Sequence, residues 1–555
     1  MKKILLLATA LALMAALVSG CAMIPLLYTR TAKTGANEMP EREEYVLTEE
    51  AEMGVYDDMY AAGMPMGTMQ PMQMYGMYAP MPDFNTEEYA AIAENGFEAV
   101  ATSPLSTFSA DVDTASYCNL RRMLNHGYAP DEIPDGAVRV EEMLNYFRYS
   151  YDVPEGDERF AVTARLAPCP WNANNVLLML GVQAATLPDA AAEGSNLVFL
   201  VDVSGSMDDV DKLDLVKQAL TLLTDRLGET DTVSIVTYSD GERVVIDGAN
   251  PIRDRAKLLS AIDSLAAGGY TDGQRGLEQA YDVALRHYRK GGNNRVIMCS
   301  DGDLNVGITS ESDLHDYVSE KKETGVYLSV LGFGEGNYKD TKMETLADDG
   351  NGSYYYIDSI LEAEKVLGEE LTQTLYTVAD DVKFQVEFNP AKVSAYRQVG
   401  YENRALADQD FEDDAKDAGE VGAGASVTVL YELVPGQAEA DDGGLRYQTR
   451  QLTEAGAGGE WLNVSLRYKL PGAAESQLRQ FPVTDDDLLD APDGDMAFAA
   501  AVAEFGMVLR DSEYRGDSSY ETVVDLLKQA PLSDPYREEF FSLVKIAERA
   551  DKLAK

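Results

Sequence analysis

The stretch that decides the fold reads NLVFLVDVSGSM, residues 196–207. Its first half is an almost continuous apolar run, which is typical of a strand buried on both faces of a sheet. Its second half places Asp202, Ser204 and Ser206 at alternate positions, and Gly205 allows the chain to bend tightly between the two serines. Carboxylate and hydroxyl oxygens are the ligands that hard divalent cations prefer. The stretch therefore predicts an oxygen-rich loop at the carboxyl end of a buried strand.

Outward from this stretch, apolar strands alternate with amphipathic helices over residues 196 to about 375. Strands are predicted at 197–201, 232–238, 244–246, 295–299, 327–332 and 353–357, and helices at 212–227, 253–265, 274–288, 312–324, 341–348 and 360–372. This alternation predicts an α/β unit with a doubly wound, mostly parallel sheet covered by helices on both faces. Ligands of such sheets bind at the carboxyl ends of the strands, at a topological switch point.

Two later segments add oxygen ligands to the first loop. GGYTDG, residues 268–273, opens a predicted helix and supplies Thr271, and VIMCSDG, residues 296–302, ends another apolar strand and supplies Asp301. In their order and approximate spacing, the three segments resemble the metal-ion-dependent adhesion site of the von Willebrand factor type A domain. The resemblance covers about 180 residues.

The resemblance implies a role for each matching residue. The two serines ligate the cation directly, the threonine binds directly or through water, and the two aspartates act mainly through bridging waters; Asp272 is the alternative to the threonine. The expected metal ligands are Asp202, Ser204, Ser206, Thr271 and Asp301. Mg²⁺ is the expected ion, with Mn²⁺ and Ca²⁺ as alternatives. One coordination position stays open, and a protein partner would fill it with a carboxylate.

The flanks of the α/β unit extend the resemblance to a family of bacterial lipoproteins. Residues 108–117 and 140–147 look like the segment that precedes the domain in that family, and residues 378–552 look like its C-terminal domain of unknown function. Beyond residue 378, apolar residues alternate with polar ones, which predicts an antiparallel sheet with one buried face. Since strand-like runs at 160–166 and 176–183 lie on the other side, we expect the α/β unit to be inserted in, or flanked by, a β-sandwich, with C-terminal helices.

This organisation divides the 555-residue chain into six segments. They are a lipoprotein signal peptide (1–20), a Met-, Gly- and Pro-rich disordered tether (21–97), an N-terminal flank of helices and strands (98–193), the von Willebrand factor type A domain (194–376), a β-sandwich domain (377–490) and a helical region (491–555).

The N-terminus has the order of an export signal. Lys2 and Lys3 precede an apolar stretch over residues 4–18, and the following LVSGC resembles the bacterial lipobox, in which Cys21 becomes the lipidated first residue. We therefore expect a protein anchored by lipid to a bacterial membrane and facing away from the cytoplasm. No later stretch approaches the roughly 18 apolar residues that a membrane span needs. Which membrane of the envelope holds the anchor stays open.

Sulfur-containing residues leave two further questions open. The tether is rich in methionine between Met53 and Met81. Its thioethers are either Cu(I) ligands or side chains of a low-complexity linker, and the absence of nearby cysteine or histidine favours the linker. Cys118 and Cys169 are candidates for a disulfide, because the expected compartment permits one.

Composition excludes one class of partner. The chain carries 46 Lys and Arg against 95 Asp and Glu, a net charge of −49, which repels nucleic acid. Its hydrophobic content of 45% is too high for wholesale disorder. An acidic protein can still bind an acidic group when a metal ion lies between them.

Together these features favour a non-enzymatic adhesion or binding module that recognises a protein through a divalent cation. The alternatives are an envelope assembly scaffold with a structural metal, and a metal-dependent hydrolase. The chain has no Gly-x-x-x-x-Gly-Lys loop, no Gly-x-Ser-x-Gly elbow and no His-Glu-x-x-His motif, which argues against an enzyme. The partner's identity and the oligomeric state stay open.

Overall fold

The structure is a computed structural model that describes most of the chain beyond residue 88. The described residues are 89, 91–110, 113–186, 194–270, 273–302, 311–334, 340–414, 416, 418–437 and 452–554. They belong to one compact unit, which begins at Ala79. The predicted signal peptide, Cys21, nearly all of the tether, Thr271 and Asp272 lie outside the described residues.

The N-terminal flank contributes four strands and two helices. In chain order these are β1 (Glu98–Ala99), β2 (Leu105–Ser109), α1 (Ala115–Asn125), α2 (Val140–Asn145), β3 (Phe160–Pro168) and β4 (Val176–Ala184). Both helices bury nearly all of their residues. They are therefore interior elements that join the neighbouring parts of the protein.

The central α/β domain follows directly. Its elements are β5 (Ser195–Asp202), α3 (Leu213–Thr224), β6 (Thr232–Tyr238), β7 (Glu242–Ala249), α4 (Arg255–Asp263), α5 (Gly273–Arg286), β8 (Asn293–Ser300), α6 (Glu311–Lys322), β9 (Tyr327–Phe333), α7 (Asp340–Asp349), β10 (Tyr354–Ile357), α8 (Ile360–Glu364) and α9 (Leu371–Leu375). A π-helical turn, Lys365–Glu369, joins the last two helices.

These strands form one six-stranded sheet in the order β10-β9-β8-β5-β6-β7, in which only β7 runs antiparallel. All eight residues of β5 are buried. Val198 and Leu200 enter one hydrophobic core, while Leu197 and Phe199 enter the core on the opposite face. The predicted doubly wound sheet is confirmed, and the apolar run that predicted it is its central strand.

The C-terminal part returns to antiparallel strands and then to helices. Its elements are β11 (Thr377–Phe388), β12 (Val393–Val399), β13 (Val421–Gly422), β14 (Ser426–Pro435), α10 (Glu454–Ala457), β15 (Leu462–Lys469), β16 (Ser476–Val483), α11 (Gly494–Leu509), α12 (Tyr520–Leu527) and α13 (Pro535–Ala554).

Both sheets of the β-sandwich combine strands from the two sides of the α/β domain. One sheet has the order β1-β12-β14-β4-β3. The other has the order β13-β11-β15-β16, and β2 also pairs with β11. Leu180 of β4 lies opposite Val429 of β14, and Phe108 of β2 lies opposite Phe384 of β11. All four side chains are buried in one core between the sheets. The α/β domain is therefore an insertion in the sandwich, as the sequence predicted.

The helices of both flanks pack against the α/β domain. α1 contacts β10 and α13, while α11 contacts α2 and α12. One continuous core holds α1, α11 and one face of the central sheet. Within the described part of the chain, no helix combines the length and apolar content needed to cross a bilayer.

Cys118 and Cys169, the two candidates for a disulfide, are both free thiols in the structure. Cys118 lies in α1 beside Arg121 and Glu362, whereas Cys169 lies beside Glu432. Since the two thiols face different charged groups, each is enclosed in its own environment. Burial raises the pKa of both thiols, which makes them inert toward oxidation.

Candidate functional site

The predicted oxygen ligands converge at the carboxyl ends of β5 and β8. These two strands are neighbours, and the chain builds the sheet outward from them in opposite directions, so the site lies at the topological switch point. Asp202 ends β5, and Asp301 directly follows β8. Both aspartates are almost fully buried, with exposed fractions of 0% and 2%.

Hydrogen bonds shape the serine loop around Asp202. The backbone N–H of Ser204 donates to Asp202 Oδ1 at 2.8 Å, and the hydroxyl of Ser300 donates to Asp202 Oδ2 at 3.4 Å. The hydroxyl oxygens of Ser204 and Ser206 lie 3.0 Å apart. A short 3₁₀ turn, Gly205–Met207, holds this arrangement. Two hydroxyls and two carboxylates are thereby brought to one edge of the sheet.

The Gly268–Gly269 loop is fastened to the serine loop by backbone hydrogen bonds. Gly205 donates to the carbonyl of Gly269 at 3.0 Å, and Gly268 donates to the carbonyl of Val203 at 2.8 Å. Gly269 has φ +88°, and a Cβ there would lie 2.7 Å from the carboxylate of Asp240. The loop that leads to Thr271 is therefore held beside the two serines. Thr271 itself lies outside the described residues.

Sequence reasoning missed one charged residue of the site, Lys212. Its Nζ lies 3.0 Å from Asp301 Oδ2, and the two side chains are 10% and 1% exposed. The stem of Lys212 packs against Gly334, where a Cβ would lie 2.3 Å from Lys212 Cγ. In the sequence Lys212 stands among aspartates at the start of a helix, which is the pattern of a solvated surface charge. The one feature of the sequence that could have assigned Lys212 to the site is its position soon after the serine loop.

The electrostatics of the site leave negative charge in excess. Burial raises the pKa of Asp202 to about 6, against the opposing effect of the hydrogen bonds from Ser204, and the negative charge of Asp301 raises it further. The ammonium of Lys212 contacts Asp301, whereas Asp202 accepts hydrogen bonds from Ser204 and Ser300. Hydroxyl and carboxylate donors with uncompensated negative charge fit a hard divalent cation.

A second group of potential ligands lies away from this site. Among the described residues, Cys118, Asp358 and Glu362 come close enough together to share a metal ion. However, Arg121 already contacts both carboxylates, with Nε 2.8 Å from Asp358 Oδ2 and Nη2 2.9 Å from Glu362 Oε2. The guanidinium supplies the positive charge that a metal ion would bring, so this group is an ion-pair cluster.

Family models match three parts of the chain. Residues 83–179 match a model described as von Willebrand factor, residues 196–369 match the von Willebrand factor type A domain, and residues 373–550 match the C-terminal region of the uncharacterized protein YfbK. The second match coincides with the α/β domain and contains every predicted metal ligand. Domains of this family bind a divalent cation at the equivalent site.

One bacterial protein and one solved structure are similar to part of this chain. The uncharacterized protein sll0103 of Synechocystis sp. is 31% identical over 172 residues, which cover 30% of this chain and 39% of that protein. A solved von Willebrand factor type A protein from Catenulispora acidiphila is 17% identical, with a TM-score of 0.39 and coverage of 70% of this chain and 89% of that one. That TM-score is too low to support an argument.

The similarity to the uncharacterized protein YfbK of Escherichia coli (strain K12) is much more extensive. The two sequences are 42% identical over 473 residues, which cover 83% of this chain and 81% of that protein. This chain, which combines a von Willebrand factor type A domain with a YfbK-type C-terminal region, therefore belongs to the YfbK family.

Proposed function

We propose that this protein is a lipid-anchored binding module outside the cytoplasm that recognises a protein partner through a divalent cation. Its von Willebrand factor type A domain suggests a protein-interaction or adhesion module. The observation that carries the proposal is the pair of buried carboxylates, Asp202 and Asp301, with the hydroxyls of Ser204 and Ser206 at the switch point. Thr271 completes the proposed ligand set.

The chemistry of the donors selects the cation. Hydroxyl and carboxylate oxygens suit Mg²⁺, and Mn²⁺ and Ca²⁺ take the same type of ligand. When bound, the ion would act as a Lewis acid that accepts a carboxylate oxygen of the partner. Ser204 and Ser206 would hold the ion through their hydroxyl oxygens, and Asp202 and Asp301 would place negative charge beside it.

The surface beside the site suits contact with a protein. Tyr270 and Val210 lie on the two loops that border the serines, and they are 85% and 74% exposed. The backbone N–H of Tyr270 donates to Asp240 Oδ1 at 2.6 Å, which fixes the aromatic residue beside the site. Exposed tyrosines are frequent anchors of protein interfaces.

Two observations favour binding over catalysis. The hydroxyls of Ser204 and Ser206 hydrogen-bond to each other, and the described hydrogen bonds give neither of them a histidine partner. His287 contacts Asp247, and His315 contacts Asp349, with N–O distances of 2.6 Å in both pairs. His315 lies in α6 and His287 directly follows α5, and both pair with acidic residues outside the serine loop.

A cation-binding experiment tests the proposal. We expect the full chain to bind Mn²⁺ in isothermal titration calorimetry and Asp202→Ala to lose that binding, while Ser264→Ala, an exposed serine of the same domain, binds normally. A pull-down in Mg²⁺ should then recover a partner that EDTA releases and that Ser206→Ala does not recover. Partner binding that persists in EDTA would contradict the proposed mechanism.

The membrane anchor has a test of its own. We expect Cys21→Ser to prevent the incorporation of labelled palmitate and to move the protein from the membrane fraction to the soluble fraction. Cys118→Ser, which changes a buried thiol, is the matched control. Equal membrane association of Cys21→Ser and the unmodified sequence would contradict lipid anchoring.

A further inference from the structure

We infer that Lys212 is a resident counter-charge of the cation site, which makes tight cation binding depend on an acidic group from the partner. The inference rests on the proposed function, because it concerns the same site. It adds a residue outside the predicted ligand set, and a coupling between the two ligands of the site.

The contacts of Lys212 place its ammonium inside the site. Nζ lies 3.0 Å from Asp301 Oδ2, and the side chain of Asp301 is 1% exposed. The side chain arrives from the first turn of α3, since the carbonyl of Lys212 accepts from the N–H of Val216 at 2.9 Å. The helix that follows the serine loop therefore delivers a positive charge to the second aspartate.

The stem of Lys212 lies in a space that glycine keeps open. Gly334 has φ +77°, and a Cβ there would lie 2.3 Å from Cγ and 2.4 Å from Cε of Lys212. The hydroxyl of Tyr356 donates to the carbonyl of Gly334 at 2.9 Å, which fixes this backbone. With only 10% of its side chain exposed, Lys212 is enclosed. Its ammonium therefore stays in the site when a cation enters.

Charge counting gives the consequence of this enclosure. The carboxylates of Asp202 and Asp301 with the ammonium of Lys212 carry a net charge of about −1, if all three are ionised. A divalent cation changes the sum to about +1, and one carboxylate from a partner restores neutrality. Without Lys212, the cation alone would neutralise the two aspartates. Lys212 therefore weakens the binding of the cation alone and favours its binding together with an acidic group.

The exposed carboxylates nearby do not alter this sum much. Asp208, Asp209 and Asp240 border the site on the surface. Water and salt screen their charges, whereas the buried charges act on one another through a less polarisable medium. The balance among Asp202, Asp301 and Lys212 therefore dominates the affinity for the cation.

The test measures the binding of Mn²⁺ to the full chain by calorimetry, in chloride and in acetate buffers of equal ionic strength. Acetate serves as the carboxylate probe. Lys212→Met removes the ammonium and keeps a flexible apolar stem, and Lys217→Met removes a charge one turn further along the same helix. We expect Lys212→Met to bind Mn²⁺ about tenfold more tightly or better in chloride. Acetate should strengthen the binding of Mn²⁺ to the unmodified sequence and to Lys217→Met, but not to Lys212→Met.

Each other outcome has a separate meaning. If Lys212→Met binds Mn²⁺ equally or more weakly, or keeps the acetate effect, the role assigned to Lys212 is wrong while the proposed function stands. If the unmodified sequence binds no Mn²⁺, the proposed function and this inference both fail. Lys212→Gln, a neutral residue that can still donate to Asp301, replaces Lys212→Met in the same test if circular dichroism shows that the latter is unfolded.

Discussion

The cation site and the Arg121 cluster both contain buried carboxylates, but they differ in the source of the positive charge. At the proposed cation site, the ammonium of Lys212 contacts Asp301, whereas Asp202 accepts hydrogen bonds from the N–H of Ser204 and the hydroxyl of Ser300. In the cluster, Arg121 contacts Asp358, Glu362 and Glu539, and nearby Lys365 contacts Glu370 at 3.1 Å. The chain itself supplies a cation to every carboxylate of the cluster.

The difference separates a structural ion-pair cluster from the proposed binding site. The Arg121 cluster joins α1 of the N-terminal flank to the last helices of the α/β domain and to α13. It is complete without an ion, so it fixes three parts of the protein to one another. At the proposed cation site Asp202 contacts no chain cation among the described residues, so the site can accept the positive charge of the proposed ion. Every carboxylate of the cluster contacts a chain cation, whereas Asp202 accepts from uncharged groups, the N–H of Ser204 and the hydroxyl of Ser300. Contact with a chain cation distinguishes the two sites, while the residue types alone do not.

The largest expected effect comes from removing the cation of the complete cluster. Arg121→Met should lower the free energy of unfolding by about 3–5 kcal/mol, because it leaves buried carboxylates without a partner. Urea denaturation of the full chain measures the loss. A loss below about 1 kcal/mol would mean that the cluster does not hold the flanks and the domain together.

Glu504 sharpens the comparison, because it is a buried carboxyl with no chain cation among its described contacts. Its Oε2 accepts from the hydroxyl of Thr522 at 2.8 Å, and its Oε1 has no hydrogen-bond partner among the described residues. Burial raises its pKa to about 7, and the hydrogen bond from Thr522 opposes this shift. The folded state therefore favours the protonated carboxyl.

This pKa predicts how stability depends on pH. The contribution of Glu504 is fully present below about pH 4.5 and is lost as the pH rises through about 7, a change of about 3 kcal/mol in the free energy of unfolding. Glu504→Gln should remove that dependence in urea denaturation at several pH values. Glu538→Gln, at an exposed position, should leave it intact. A slope that Glu504→Gln does not change would contradict the assignment.

Loading the incomplete site with a cation should have a slightly smaller effect. Mg²⁺ at 100 times its dissociation constant should stabilise the protein by about 2.7 kcal/mol. Asp202→Asn should abolish that gain, although its side-chain oxygen can still accept from Ser204. Thermal unfolding with and without EDTA measures both. An equal gain in Asp202→Asn would show that the ion binds elsewhere.

The smallest effect is expected for an ion pair in water. Arg255 contacts Asp225 with both side chains about half exposed. Arg255→Met should change the free energy of unfolding by less than about 1 kcal/mol, because such pairs are screened and cost side-chain entropy. It is the control for Arg121→Met in the same urea experiment. A comparable loss in both variants would remove the contrast between buried and exposed pairs.

The α/β domain was readable from the sequence because its signals are local. An apolar run such as residues 196–201 has to be buried on both faces of a sheet, and the oxygen ligands directly follow the strands that place them. The tail was equally readable, since the helical region predicted at 491–555 contains α11, Gly494–Leu509. The local sequence pattern is enough to predict an element when the residues of that element alone indicate whether it is buried.

Other features depended on distant contacts and could not be read. β16, Ser476–Val483, was missed because most of its residues are exposed and show no apolar alternation. The pairing of Phe108 with Phe384 joins strands on opposite sides of the inserted domain, so its register has no local signal. Arg121 and Lys212 looked like ordinary helix charges, since only tertiary packing buries them.

The insertion of the α/β domain also affects the order in which the parts of the protein can fold during synthesis. β4 ends at Ala184, and β14, its neighbour in the sheet, begins about 240 residues later. At synthesis rates of about 5–20 residues per second, the hairpin of β3 and β4 waits roughly 10 to 50 s for that neighbour. During this interval the inserted domain can complete its own sheet, while the apolar edge of β4 stays unpaired and prone to aggregation. The half-built sandwich is therefore the stage at which a chaperone would have most to protect.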